Sequence, residues 1–326
     1  MFSRIKNLLL GISGHQQVLN SNYAAELADY KNPKVNLGRL QATLNNACKN
    51  QLHLNDVEFR VFSQFGDDGI IQFLVQKMPI RFKTFIEFGV EDYRESNTRF
   101  LLVNNYWSGF VIDGSEDNVS RIKSDHIYHF FDLKATCRFI DKENIRELML
   151  QSGFREEVGI LSVDIDGNDY WIWETIDTRA SIVICEYNGL FGFEESVSIP
   201  YDPGFVRGNR YPFNFYGTSL SALQKLAVKK GYFFIGCNSA GNNAYFISEH
   251  LRDQCPFPEL SVKEGFVFPS FSESRSENGD MRKGLEIFRG LDGLPLIDVN
   301  TGETVKYDFA KISQSLLESG KIRRKF

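Results

Sequence analysis

Four acidic residues of this 326-residue chain each end a short apolar run, and their positions indicate one shared binding site. The runs are typical of buried β-strands, and the acids that end them are Glu87, Asp113, Asp164 and Glu186. In an open sheet of parallel strands, ligands bind at the carboxyl ends of the strands. A single acid there is most often a helix cap or a turn residue. Four like charges at one edge instead indicate a ligand or metal, because their repulsion costs free energy unless something offsets it.

The turn after the first of these acids distinguishes two classes of nucleoside cofactor. Asp113, at the end of the second strand, is placed to accept hydrogen bonds from ribose hydroxyls. A dinucleotide also requires a glycine-rich turn, whose bare backbone N–H groups bind pyrophosphate. Residues 89–93 read Gly-Val-Glu-Asp-Tyr, with one glycine and two added carboxylates that would repel phosphate. S-adenosylmethionine (SAM) carries a sulfonium, an ammonium and a ribose but no phosphate, so the sequence favours SAM over NAD.

Methyl transfer to a hydroxyl needs a base or a Lewis acid, and the loops after the fourth and fifth strands offer groups for both roles. Asp164 and Asp166 follow the fourth strand, and Glu186 and Asn188 end and follow the fifth. Their oxygens are the ligands that Mg²⁺ and Mn²⁺ prefer. We predict an active-site role for Asp164, with Asp166 as a further ligand or as the base. Metal binding is left open, because carboxylate clusters also have explanations such as turns and helix caps. His129 is a further candidate base, although a core or surface histidine explains it better.

A long aromatic segment, interrupted by Pro and Gly, lies between the fifth strand and the next predicted helix. Its candidate substrate-binding residues are Tyr201, Asp202, Arg207 and Tyr216. Aromatic faces beside charged groups suit a sugar ring, whose C–H face is apolar and whose edge is polar. The same composition would serve a contact between copies of the chain, so a homo-oligomer is left open.

The elements that must position these residues alternate between short apolar runs and amphipathic stretches. Strands are predicted at 84–89, 109–114, 127–131, 159–164 and 181–186, then as an antiparallel pair at 232–235 and 243–247. Amphipathic helices are predicted between them, for example at 97–103, 142–151 and 219–229. Strands linked by helices at this spacing indicate βαβ units, and therefore a doubly wound, mostly parallel α/β sheet.

Two extensions flank this predicted domain, which we place at residues 61–250. Residues 1–60 are polar and predicted to be helical. The apolar residues near their start have helical spacing, which favours a helix docked on the protein's own core over one that touches a membrane: Ile5, Leu8, Leu9 and Ile12. Residues 251–326 are predicted to contain a polar loop at 272–280, a small hairpin around 299–303 and a helix.

An ordered set of motifs resembles the FkbM-like class I SAM-dependent methyltransferases. The motifs are Ser-Gln-Phe-Gly-Asp-Asp-Gly at 63–69, Phe-Ile-Glu-Phe-Gly at 85–89, Ser-Asn-Thr at 96–98, Trp-Ser-Gly-Phe-Val-Ile-Asp-Gly at 107–114 and Ser-Val-Asp-Ile-Asp-Gly at 162–167. The resemblance covers roughly residues 62–247. It implies a seven-stranded, Rossmann-like SAM-binding fold and transfer of a methyl group, usually to oxygen, on a glycan or natural product.

The resemblance also implies roles for individual residues. Those expected to line the cofactor pocket are Glu87, Gly89 and Asp113, and those expected to flank its methionine end are Gln64 and Asn97. The sequence departs from the family in the first turn, where Glu91 and Tyr93 stand at positions that usually hold glycine. A catalytically silent sugar- or protein-binding module on the same fold is therefore kept as the alternative function.

Metal-dependent O-methyltransferases of the same fold place an acid after the fourth strand and an acid or amide pair after the fifth. Similarity to that arrangement implies Asp164, Glu186 and Asn188 as metal ligands. The predicted function is thus O-methyl transfer to a carbohydrate or glycan precursor, as in polysaccharide biosynthesis, or to a natural product. An epimerase is disfavoured, because the chain has neither GxGxxG nor a suitably placed YxxxK pair.

Composition excludes several other classes of protein. The chain is 42% hydrophobic and 24% charged, which excludes wholesale disorder, and its net charge of −5 argues against a broadly basic nucleic-acid surface. Five scattered cysteines without a CxxC pair support neither a disulfide framework nor a thiolate zinc site. The apolar stretch at 8–12 is too short to span a bilayer. We predict a cytoplasmic enzyme without a transmembrane segment that acts on a small-molecule or glycan acceptor.

Overall fold

The computed structural model describes residues 32–48, 53–154, 157–269, 288 and 290–322. The predicted helix with Ile5 and Leu8 and the predicted loop at 272–280 lie outside these residues. The boundaries proposed for the three regions of the chain stay predictions.

A seven-stranded sheet forms the centre of the described chain. In chain order the strands are β1 (Thr84–Phe88), β2 (Ser108–Asp113), β3 (Leu133–Cys137), β4 (Glu157–Val163), β5 (Arg179–Glu186), β6 (Val197–Ser198), β7 (Tyr232–Cys237), β8 (Asn243–Ser248), β9 (Pro295–Asp298) and β10 (Thr304–Lys306). The large sheet has the order β3-β2-β1-β4-β5-β8-β7. Strands β1 to β5 are parallel, and β8 is antiparallel to both of its neighbours. The doubly wound, mostly parallel seven-stranded sheet is therefore confirmed.

Helices connect the strands and cover both faces of the sheet. They are α1 (Pro33–Ala47), α2 (Asp67–Lys77), α3 (Arg99–Asn105), α4 (Glu116–Ser124), α5 (His126–Phe130), α6 (Ile145–Gln151), α7 (Asp169–Thr175), α8 (Leu220–Lys230), α9 (Val262–Gly265) and α10 (Phe309–Glu318). Helix α8 shows the local signals well: the Ser219 side chain accepts a hydrogen bond from the Ala222 amide, and Gly231 ends the helix in a left-handed conformation. Within the described residues, no helix has the length and apolar character that crossing a membrane requires.

Alternate residues of the central strands enter two hydrophobic cores on opposite faces. In β1, Phe85 belongs to a first core shared with α1 to α5, whereas Ile86 belongs to a second core shared with α6, α7, α8 and α10. Glu87 lies two residues after Phe85, and Asp113 and Glu186, which end β2 and β5, have the same phase. Their side chains consequently point to the first-core face of the sheet, where their strands end.

The third strand differs from the prediction. Residues 127–131, predicted as a strand, belong mainly to helix α5, and β3 begins at Leu133. The Asp125 carboxylate accepts a hydrogen bond from the Ile127 amide at 3.2 Å and starts the helix, whose buried Ile127 packs in the first core. A cap and one core contact thus outweigh the strand propensity of these aromatic residues. His129 is exposed on this helix, and the strand position on which its predicted catalytic role depended is wrong.

The C-terminal segment packs against the second core. The predicted hairpin is confirmed as β9 and β10, and β9 also pairs with β6 in a three-stranded sheet. Tyr307 donates its hydroxyl proton to the carbonyl oxygen of Leu190 at 2.7 Å, and Leu316 of α10 is fully buried. This segment therefore supports the loops that follow β5.

Candidate active site

The turn after β1 keeps a glycine-like backbone although it contains one glycine. Gly89, Glu91 and Tyr93 have φ angles of 66°, 48° and 62°, a region that L-residues other than glycine seldom occupy. Gly89 has no room for a side chain, because a Cβ atom there would lie 1.8 Å from the carbonyl oxygen of Asp164. The turn after β1 and the loop after β4 are therefore in backbone contact.

Two hydrogen bonds hold the non-glycine residues of this turn. The Glu91 amide donates to Oδ2 of Asp113 at 2.8 Å, and the hydroxyl of fully buried Tyr93 lies 2.9 Å from Oγ1 of Thr98. A left-handed conformation costs a non-glycine residue about 1–2 kcal/mol, which such contacts offset. The conformation that glycine would favour is thus retained at Glu91 and Tyr93, although neither residue is a glycine.

Asp113 is a nearly buried hub between this turn and the start of α4. Besides the Glu91 amide, its carboxylate accepts hydrogen bonds from the Ser115 amide at 2.9 Å and from Nδ2 of Asn118 at 3.1 Å. Because a carboxylate has about four acceptor positions, roughly one remains for a ligand hydroxyl. Its predicted ribose contact stays a prediction.

Glu87 is engaged inside the protein. Its two carboxylate oxygens accept hydrogen bonds from the Asn97 amide at 2.8 Å, the Thr98 amide at 3.1 Å and the Thr98 hydroxyl. Burial raises the pKa of Glu87 to about 7, although these hydrogen bonds lower it. The residue orders the start of α3, and Asn97 itself donates to the Ser162 hydroxyl at 3.1 Å. Gln64, predicted at the methionine end, is exposed.

Three carboxylates meet at the ends of β4 and β5. One oxygen each of Asp164, Asp166 and Glu186 lies within 4.8 Å of the others. Burial raises the pKa of Asp164 and of Glu186 well above the ordinary values, and the neighbouring carboxylates raise both further. Glu186 is 7% exposed, and its Oε2 atom has no hydrogen-bond partner among the described residues. A shared proton or a bound cation would satisfy that atom.

Asp169 shapes the loop that carries two of these acids. It is fully buried at the start of α7, and its carboxylate accepts hydrogen bonds from the Ile165 amide at 2.8 Å and the Gly167 amide at 3.0 Å. Asp166 has a φ of 57° within this loop. Burial raises the pKa of Asp169 to about 6, against the effect of its hydrogen bonds. Asp169 is thus a loop-capping residue.

Two of the predicted substrate residues, Arg207 and Tyr216, form a wall of the acidic cluster. The Arg207 guanidinium is ion-paired with Asp166 and lies 3.6 Å from the centre of the Tyr216 ring. The Tyr216 hydroxyl lies 3.5 Å from Oε1 of Glu186. Arg207 therefore supplies one positive charge to a site that contains three carboxyl groups.

Asn188, which the similarity to metal-dependent O-methyltransferases implied as a metal ligand, is hydrogen-bonded to the loops around it, and its role as a ligand stays a prediction. Its Oδ1 accepts a hydrogen bond from the Leu190 amide at 3.0 Å, and its Nδ2 donates to the carbonyl oxygens of Asn214 and Tyr216, each at 2.9 Å. Its amide is thus used to fix the segment that bears Tyr216. Asp166, predicted as a further ligand or as the base, belongs to the cluster of three carboxylates.

The other two predicted substrate residues, Tyr201 and Asp202, line a cavity of about 340 Å³. The Tyr201 hydroxyl accepts a hydrogen bond from the Lys142 amide and donates one to Glu143, each at 2.9 Å. Phe205, also in the cavity wall, fills the space where a Gly167 side chain would lie, with its Cδ1 atom 2.3 Å from the ideal Cβ position. The cavity consequently adjoins the loop that carries Asp166.

Phe139 is a candidate site residue that the sequence interpretation missed. It is 47% exposed just beyond the end of β3, and its Cδ2 atom lies 3.4 Å from the ideal Cβ position of Gly114, the residue after Asp113. The signal was an aromatic residue after a strand, but the third strand was predicted too early in the chain. Phe139 presents a flat apolar surface beside Asp113.

No family model matches the chain, and no curated protein matches it. Among solved structures, it is similar to the N-terminal domain of EvdMO1 with SAH bound, at 10% identity and a TM-score of 0.37, over 65% of this chain and 94% of that chain. It is also similar to a SAM-dependent methyltransferase from Clostridium acetobutylicum ATCC 824, at 11% identity and a TM-score of 0.36, over 56% of this chain and 90% of that chain.

A third similarity is to a putative caffeoyl-CoA O-methyltransferase from Staphylococcus aureus, at 16% identity and a TM-score of 0.38, over 71% of this chain and 99% of that chain. At these identities and TM-scores the similarities carry no argument about activity. The fold assignment depends on the strand order and directions described above.

Proposed function

We propose that the protein is a SAM-dependent methyltransferase of the FkbM-like type that methylates a hydroxyl group. The observation that carries the proposal is the acidic carboxyl edge of the sheet, where Asp113, Asp164, Asp166 and Glu186 occur together with a tight turn at Gly89. Such an edge attracts a positively charged nucleoside and repels phosphate. SAM, with its sulfonium and ammonium groups, has the required charge.

The residues around the turn after β1 fit an adenosine. Asp113 has about one acceptor position left for a ribose hydroxyl, and the exposed Phe139 ring beside Gly114 offers a flat surface for a base. Gly89 keeps the turn free of a side chain. In this proposal Gln64 and Asn97 flank the methionine end, and Glu87 acts through the start of α3 rather than by contact.

The carboxylate cluster fits a divalent cation such as Mg²⁺ or Mn²⁺. Asp164, Asp166 and Glu186 supply hard oxygen ligands, and Oε2 of Glu186 lacks a partner within the described residues. A bound cation would act as a Lewis acid that favours ionisation of an acceptor hydroxyl. The ion pair of Arg207 with Asp166 is the internal contact with which such a cation would compete.

Asp164 is the base in this proposal. Its carboxyl group lies against Glu186, and burial raises its pKa, so it holds a proton more readily than an exposed aspartate does. A raised pKa brings a carboxylate closer to the range that general-base catalysis requires. Asp166, already paired with Arg207, is the better choice for orienting the cluster.

The acceptor in this proposal is a carbohydrate, a glycan precursor or a similar polyhydroxylated natural product. It would occupy the cavity lined by Tyr201 and Asp202, which adjoins the Asp166 loop through Phe205 and Gly167. Aromatic walls with charged groups at the edge match the two faces of a sugar ring.

Calorimetric titration with SAM and S-adenosylhomocysteine, each with and without Mg²⁺ or Mn²⁺, tests the proposal. We expect S-adenosylhomocysteine to bind with micromolar affinity, and we expect Asp113→Ala to abolish this binding. The control is Asp177→Ala, which removes an exposed acid ion-paired with Arg146 and should keep the binding. Folded protein that binds neither nucleoside would contradict the proposal and favour the silent binding module.

A further inference from the structure

One charged side chain in the cavity wall, that of Arg210, has no ion-pair partner among the residues that the structure describes. Arg210 is exposed and lines the cavity, and its guanidinium lies 5.4 Å from the centre of the adjacent Tyr211 ring. In the parts of the chain that the structure describes, no carboxylate forms an ion pair with Arg210. Arg207, three residues earlier, is by contrast paired with Asp166. Arg210 is therefore available to bind an anionic group of a ligand.

The other walls of the cavity are aromatic rings and a carboxylate. Tyr211 packs against Phe215 with ring centres 4.7 Å apart, and Phe205 completes the aromatic surface. Asp202 accepts one hydrogen bond through its carboxylate, from the Gly204 amide at 2.9 Å. Its remaining acceptor positions suit hydroxyl donors. The cavity thus combines an apolar surface, an acceptor of hydroxyl protons and a cation that no carboxylate of the described residues pairs with.

We propose that this cavity binds a sugar ring that carries an anionic group, either a carboxylate or a phosphate, and that Arg210 selects for that group. The C–H face of the ring packs on Tyr211 and Phe205, its hydroxyls donate to Asp202, and the anion accepts paired hydrogen bonds from Arg210. A volume of about 340 Å³ is large enough for one substituted pyranose. That this ligand is the methyl acceptor rests on the proposed function, but its binding does not.

The experiment measures the affinities of three probes for the full chain without SAM or divalent cation. The probes are methyl β-D-glucuronide, glucose 1-phosphate and methyl β-D-glucoside, which share a ring and differ in charge. We expect at least one anionic probe to bind about tenfold more tightly than the neutral glucoside, and the tighter of the two identifies the anion as carboxylate or phosphate.

Variants separate the charge from the aromatic wall. Arg210→Gln should lower the affinity for the preferred anionic probe about tenfold and leave the glucoside unchanged, whereas Arg210→Lys should keep part of the preference. Tyr211→Ala should weaken all three probes. The matched control is Arg81→Gln, since Arg81 is likewise exposed and lies 5.1 Å from the centre of the ring that follows it, Phe82, before the start of β1.

Equal affinities for charged and neutral probes, no measurable binding, or an unchanged preference in Arg210→Gln would each overturn the proposal. The result is independent of the cofactor titration. A chain that binds the glucuronide but not S-adenosylhomocysteine would refute the methyltransferase and leave the acidic-sugar site standing, and the reverse pattern would do the opposite.

Discussion

The carboxyl edge of the sheet has two halves with the same kind of residue in different environments. On the β1–β2 half, Glu87 and Asp113 each accept three hydrogen bonds from the chain. On the β4–β5 half, Asp164 and Glu186 lie against each other and Asp166, and one oxygen of Glu186 has no partner in the described residues. The first pair holds loops in place, and the second pair keeps binding capacity for a proton, a cation or a substrate.

The largest expected effect is the loss of activity on substitution of an acid in the β4–β5 half. We expect Asp164→Asn to reduce methyl transfer by about a thousandfold or more, because it removes the proposed base while keeping the size of the side chain. The melting temperature should stay the same or rise, since the substitution removes repulsion with Glu186. Single-turnover assays and thermal denaturation check both expectations. Full activity in this variant would show that the catalytic centre lies elsewhere.

The second largest effect is expected from a substitution in the β1–β2 half, and it should lower the stability of the fold. We expect Glu87→Ala to lower the free energy of unfolding by about 2–4 kcal/mol, because the buried donors of Asn97 and Thr98 lose their acceptor. Urea denaturation measures the change. The exposed acid Asp177 offers the control, as Asp177→Ala should change stability by less than about 1 kcal/mol. A fully stable Glu87→Ala protein would contradict the structural role of Glu87.

The third effect is a pH dependence that the same residue produces. The pKa of Glu87 is about 7 in the folded protein, above the ordinary value of 4.5, so the folded state binds its proton more tightly than the unfolded state does. Its contribution to stability is therefore complete below pH 4.5 and decreases as the pH rises toward 7. The total loss is on the order of 3 kcal/mol.

Denaturation of wild type and Glu87→Gln is compared between pH 5 and pH 8. The comparison isolates the contribution of Glu87 from those of other buried acids such as Asp68 and Asp169, because burial raises the pKa of each of these to about 6. The decline in stability should be shallower in Glu87→Gln. Parallel curves for the two proteins would mean that Glu87 titrates normally.

The smallest effect is expected in the turn after β1, which lies between the two halves of the edge. Because Glu91 has a φ of 48°, Glu91→Gly should be more stable than Glu91→Ala by about 1 kcal/mol. The neighbouring Asp92, whose φ is not positive, provides the control. There the order should reverse, with Asp92→Ala more stable than Asp92→Gly by about 0.5–1 kcal/mol. Urea denaturation of the four variants checks both orders, and the same order at both positions would argue against the left-handed turn.

Much of the fold was predictable because its signals are local. Runs such as 181–186 are typical of buried strands in a sheet covered on both faces, and Ser219 with Gly231 mark the start and end of α8. The third strand was not predictable in this way. Its aromatic residues favour a strand, and the cap by Asp125 and the burial of Ile127, which decide for helix α5, depend on packing that residue patterns do not contain.

The acids at the strand ends were likewise predictable, but their individual roles were not. The sequence by itself determined that Glu87, Asp113, Asp164 and Glu186 meet at one edge of the sheet, since parallel strands place their carboxyl ends together. Only the tertiary structure decided which of these carboxylates have their oxygens hydrogen-bonded by the rest of the chain. Hydrogen bonds from Thr98 or Ser115, and their absence at Oε2 of Glu186 in the described chain, arise from loops that fold back on the edge. The function of each acid depends on how many acceptor positions of its carboxylate remain without a hydrogen bond from those loops. That number is set by three-dimensional contacts.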